Sequence, residues 1–260
     1  MYCIVPFNAF ILIIKKISMQ TASVEKEVFW FPGRWVGGTS MIIGPILLLA
    51  GQLVRAEFDF FFPQQLKAFE QHPTLLLTAY NLFLAGNILL WPAIVTLARQ
   101  IGLKKPGWAV WGGTLVILGL FARTFHYGIN HLAFQLVEVQ NLQLATRAIA
   151  DSYGAFHIVA TLSAAILFGW IVLAIGAYLS GTLGLIRSIC LAMMSVLMLG
   201  VLKGSSPVSI LSTACLCVAL VPLGVKVLVD GPPIPARTIL SWVMLILGLI
   251  TLMFFWGQAG

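Results

Sequence analysis

Arg123, His126 and Asn130 fall in the pattern R-x-x-H-x-x-x-N within a long apolar run, where an ionisable side chain is costly and marks a site. On a helix of about 100° per residue, Arg123 lies about 60° and Asn130 about 40° from His126, so the three share one stripe. Imidazole, with an ordinary pKa of about 6.5, exchanges protons at working pH. A guanidinium holds an anionic headgroup or fixes a carboxylate such as Glu57 or Asp59. The chemistry expected is acid–base work by His126 or His157, with Arg123 and Asn130 positioning a ligand.

His131 lies about 140° round the helix from His126, which fails the i, i+4 spacing of helical zinc pairs, so no metal site is expected. Arg55, Glu57, Asp59, Asn81 and His131 complete the ligand-binding candidates, with Glu138 and Asp151 at the same end of the chain's polar chemistry. His126 and His157 are also the one pair suited to haem b as axial ligands. Nothing resembling C-x-x-C-H is present, which excludes covalent haem.

The elements that position these residues follow from composition. The chain has 260 residues, 60% hydrophobic and 9% charged, with a mean hydropathy of +1.01. A water-soluble domain carries roughly 25% charged residues, so this chain's solvent is lipid. The net charge of +7 comes from Lys and Arg spread singly, not from a basic run interleaved with aromatics, and no nucleic acid is expected. Cys3, Cys190, Cys215 and Cys217 imply no disulfide framework. Cys215 and Cys217 face nearly opposite sides of a helix and read as small packing residues.

A helix needs about 20 apolar residues to cross the hydrocarbon. Such runs predict an all-α, polytopic bundle of about seven spans at 35–54, 74–98, 108–131, 154–179, 184–202, 207–228 and 238–256. Pro73, Pro106, Pro207 and Gly231-Pro232-Pro233 punctuate the breaks. The domain division is a cytoplasmic segment 1–34, one transmembrane domain 35–256 and a tail 257–260. Residues 2–14 are apolar but too short to span. Met19 reads well as a natural start, so residues 1–18 are expected to be a start-site artefact or a surface segment.

Lys and Arg then orient the bundle. Lys15, Lys16, Lys26, Arg34, Arg99, Lys104, Lys105, Arg187, Lys226 and Arg237 fall on one side, against Arg55, Lys67, Arg147 and Lys203 on the other. Positively charged loops stay in the cytoplasm, which puts the amino terminus inside, the carboxyl terminus outside and the candidate site in the outer third. Gly37, Gly44 and Gly51, then Gly112 and Gly119, then Gly169 and Gly176 recur every seven residues and read as packing seams. The second seam's next position is His126. Asn87 is expected to bond a neighbouring helix, and Pro92 to mark a kink. Residues 132–154 read as an extension of the third span or an interfacial lid, and the Phe60–Phe62 run as an anchor or a ligand portal.

The function expected first is binding or processing of a small lipophilic molecule. A transporter or permease for a lipid or small solute, a non-catalytic scaffold or assembly protein, and a bis-histidine haem b protein stand beside it. G-x-S-x-G, H-E-x-x-H and G-x-x-x-x-G-K-[ST] are absent, and 238–256 lacks the lysine that retinal requires.

Overall fold

Proline opens three of the long helices, where its missing N–H costs nothing and its fixed φ suits the first turn. The computed structural model describes residues 30–152, 158–197, 199–230 and 236–257. In chain order the helices are α1 (Arg34–Val54), α2 (Phe62–Gln71), α3 (Pro73–Gly102), α4 (Pro106–Val139), α5 (Leu142–Ser152), α6 (Leu162–Leu179), α7 (Leu185–Ala192), α8 (Pro207–Val229) and α9 (Ala236–Gly257). A 3-10 turn, Ile158–Thr161, leads into α6, and another, Met193–Val196, continues α7. The protein is an all-α helical bundle, with no strand among the described residues.

Among the described residues, six helices are long and apolar enough to cross a membrane: Arg34–Val54, Pro73–Gly102, Pro106–Val139, Ile158–Leu179, Pro207–Val229 and Ile239–Trp256. They mark a multi-pass membrane protein. The run expected as a continuous span at 184–202 is different. Its helix lasts eight residues and turns once more as 3-10, and residues 199–206 are irregular backbone. The reason lies in Gly200-Val201-Leu202-Lys203-Gly204-Ser205-Ser206-Pro207: glycine and serine are weak helix formers, and Pro207 pushes Ser206 to extended backbone, φ −134° and ψ 159°. Leu202 takes a positive φ of 50° although it carries a side chain, and it is fully buried.

The glycine seams pack as their spacing predicts. A Cβ on Gly37 would stand 2.0 Å from Thr96 Oγ1, and one on Gly51 2.7 Å from the Ala79 carbonyl oxygen, so α1 and α3 run antiparallel in close contact. On the second seam a Cβ at Gly112 would meet Leu173 Cα at 2.7 Å, and one at Gly119 would meet Ile166 Cβ at 2.3 Å. Gly169 and Gly176 return the contact from α6, against Val116 and Trp108. Gly38 and Gly224 bring α8 against the other side of α1.

Two hydrophobic clusters result. The larger holds Met41, Leu48, Leu97, Leu120, Trp170, Leu216 and their neighbours between the long helices. The smaller lies at the end where α1 finishes and α3 begins. There Leu66 and Phe69 of α2, Ala145 and Ile149 of α5, and Phe134 and Val137 of α4 pack round Leu202. The third expected span therefore does continue to Val139, and the segment after it folds back as an amphipathic helix. The described apolar side chains of α9, among them Ile239, Met244, Ile250 and Trp256, are exposed, and α9 packs against no other described helix.

Candidate functional site

The polar residues that matter lie on two facing stripes. On α3, Tyr80, Phe83, Leu84 and Asn87 stand at i, i+3, i+4 and i+7; on α4, Arg123, His126, Tyr127 and Asn130 repeat that spacing. That is the spacing of one helix face. Together with Gln52 and Arg55 at the end of α1, and with the irregular segment before α8, they line a partly open cavity of about 500 Å³. Its size falls within the roughly 300–1,000 Å³ of small-molecule sites. The remaining wall is largely apolar, from Phe60, Phe61, Val196, Leu197, Leu199 and Val208.

Arg55 and Arg123 are 3% and 6% exposed, so both guanidiniums are out of bulk water. Neither forms an ion pair with a described carboxylate; the pair found among the described residues is Arg147 with Asp151, on the surface. Arg55 lies over the rings of Tyr80 and Phe83, 4.7 Å and 4.8 Å from their centroids. Arg123 approaches the same Phe83 ring at 5.7 Å and donates from Nη2 to the Leu197 carbonyl at 3.4 Å. A cation there complements the carbonyl end of the broken α7 segment. Arg55 Nε and Arg123 Nε and Nη1 are buried without a hydrogen-bond acceptor. Burial pulls the Arg55 pKa down, and nearby Tyr80 opposes that shift. Lys203 reaches the rim, its Nζ 5.5 Å from the Phe60 ring centroid. Among the described residues the lining carries three permanent cations and no acid.

His126 is buried, as its place in the glycine register implies. Its Nδ1 lies 2.7 Å from the Ala122 carbonyl oxygen, so Nδ1 carries the hydrogen and, in the neutral ring, Nε2 keeps a lone pair. Asn130 lines the cavity and also holds backbone. Its Oδ1 accepts the Leu202 N–H at 2.6 Å, pinning the strained loop across the cavity. The loop is also tied to the α1–α2 connection: Gly204 N–H donates to the Phe60 carbonyl at 2.8 Å, and Tyr80 hydroxyl donates to the Lys203 carbonyl at 3.4 Å and to Gln65 Oε1 at 3.0 Å. Asn87 bonds the neighbouring helix as expected, donating from Nδ2 to the Leu120 carbonyl and to Thr124 Oγ1.

The structure thus brings together Arg55, Arg123, His126 and Asn130. Glu57, Asp59 and His131 are exposed and stand outside the cavity lining. The carboxylate partner expected for Arg123 is therefore not supplied by Glu57 or Asp59. Asn81 is exposed too and reaches the site only through Tyr127, whose hydroxyl donates to Asn81 Oδ1 at 2.6 Å. His157 lies outside the described residues, and with it the pairing that the haem b and two-histidine readings need. The described residues contain no group of three metal-ligating side chains.

The chain matches no family model, no curated protein and no solved structure.

Sequence reasoning did not single out Gln52, Tyr127 or Lys203. The repeated i, i+3, i+4, i+7 stripe on two adjacent spans was a usable signal for Tyr127. For Lys203 the signal was a lone cation flanked by glycines at the end of an apolar run.

Proposed function

We propose that this protein binds or processes a small lipophilic molecule in the cavity between α1, α3, α4 and the segment preceding α8. One observation carries the reading: a partly open space of ligand size, walled mainly by apolar side chains, into which a few buried polar groups converge. His126, with a fixed tautomer, is the acid–base candidate; Arg55 and Arg123 hold the polar part of the ligand. The Lys and Arg bias puts the amino terminus in the cytoplasm and the cavity toward the non-cytoplasmic face. The ligand then arrives from the bilayer. Native mass spectrometry of the purified chain tests this: a bound small molecule is expected in the parent protein and less of it in Leu84→Trp, which narrows the cavity. Identical spectra with nothing bound would overturn it.

One observation favours a second reading, permeation of a lipid or small solute. The chain crosses between α6 and α8 through a short helix followed by irregular backbone that lines the cavity. Broken crossings of that kind build transporter sites, and non-helical backbone at membrane depth is tolerated where it borders a cavity. Flux in reconstituted vesicles separates the two readings.

A further inference from the structure

We propose that the ligand of this cavity is an amphiphile with a phosphate monoester head, gripped by Arg55 and Arg123 and steered by Lys203. This inference rests on the lipophilic-ligand reading and sharpens it. Two guanidiniums removed from water and given no carboxylate are each costly, since an uncompensated buried charge is worth several kcal/mol against the fold. Pressed against one ring, Phe83, they also repel each other. Both costs are relieved by one occupant carrying about two negative charges. A phosphate monoester carries about −1.5 to −2 at neutral pH and presents three acceptor oxygens. A carboxylate or a phosphodiester supplies a single charge and leaves one guanidinium unmatched.

The open donors agree. Arg55 Nε, Arg123 Nε and Arg123 Nη1 lack acceptors, and forked guanidinium contacts to phosphate are among the stronger charge-assisted hydrogen bonds. The amino-terminal turn of α8, where Ser206 and Ser209 form a capping box, borders the same space. Phe60, Phe61, Phe83 and Leu84 give the tail its wall. Neither Arg55 nor Arg123 forms an ion pair with a described carboxylate.

The test uses the full chain in neutral maltoside micelles, followed by intrinsic fluorescence during heating, for which the chain's 8 tryptophans suffice. The probes are dodecyl phosphate, laurate, dodecanol and inorganic phosphate. Dodecyl phosphate is expected to raise the melting temperature and bind at least tenfold more tightly than laurate or dodecanol. Arg55→Gln and Arg123→Gln should each weaken it by about ten- to a hundredfold, the loss of one charged hydrogen bond or more. Arg55→Lys and Arg123→Lys, which keep the charge but not the fork, guard against misfolding and should fall between. Equal binding of dodecanol and dodecyl phosphate would sink the anion inference and leave the lipophilic reading standing. Laurate matching dodecyl phosphate would sink the two-charge argument. Binding of inorganic phosphate alone would overturn the lipophilic reading, since the source would then be a soluble anion. No response to any probe would overturn both.

Discussion

Along the seams of α1 with α3 and of α4 with α6 the helices meet with almost no space between backbones. Toward the carboxyl ends of α1 and α4 and the amino end of α3 they part around a cavity of about 500 Å³. The seams are built mainly from glycine and apolar residues. Around the cavity, satisfaction is shared among elements: Asn130 serves Leu202, Tyr80 serves Lys203, and Arg123 serves Leu197. In lipid, tight packing holds helices together where nothing polar is needed. Where polar groups converge, the chain accepts broken helix and strained backbone.

The largest effect that would break this contrast is on a seam. Gly119→Leu places a branched side chain where even a Cβ would sit 2.3 Å from Ile166 Cβ. The backbones must separate, and overpacking of this kind costs roughly 1–3 kcal/mol or more. Loss of the monodisperse peak in fluorescence size-exclusion chromatography is expected. Leu84→Trp, an enlargement facing the cavity, should leave that peak intact. Equal damage from both would mean that the two regions are packed alike.

A smaller effect belongs to the loop across the cavity. Asn130→Ala removes the acceptor of the buried Leu202 N–H, at about 1–3 kcal/mol. Hydrogen exchange should quicken across 199–206 while the α1 and α3 seam keeps its protection. Asn130→Asp, which retains an acceptor oxygen, should restore much of the protection. Uniform acceleration over the whole bundle would show that the loop is not a separate unit.

These two regions also differ in how much the sequence disclosed. Seven-residue glycine spacing is a local property of one helix, so Gly37, Gly51, Gly112 and Gly119 announce contact before any partner is known. The stripe of Arg123, His126 and Asn130 is local too, and it was legible for that reason. What escaped was non-local. Average hydropathy is blind to where a helix stops, so 184–202 read as one span although Gly200, Gly204 and Pro207 mark its dissolution. Lys203 was counted as a loop charge because its place at the cavity depends on Gly204 meeting the Phe60 carbonyl, 144 residues away in sequence. Charge attraction pointed Arg123 at Glu57 or Asp59; the fold instead leaves both acids on the surface, where water solvates them at no cost.

The smallest expected effect tests whether polar groups near the cavity hold the bundle or only border it. Asn87 donates to the Leu120 carbonyl and to Thr124 Oγ1, while its Oδ1 is buried without a donor. The Leu120 carbonyl already receives the Thr124 hydroxyl at 3.0 Å, so losing the amide strands no acceptor. Interhelical hydrogen bonds in lipid average about 0.6 kcal/mol. Asn87→Leu removes an unsatisfied oxygen along with the bond, and the two changes oppose each other. The melting temperature should move by a degree or two at most, in either direction, while binding of a ligand whose head donates a hydrogen bond drops because an acceptor has left the wall. A loss of stability as large as that of Gly119→Leu would place Asn87 among the structural seams and shrink the polar site to its cations and His126.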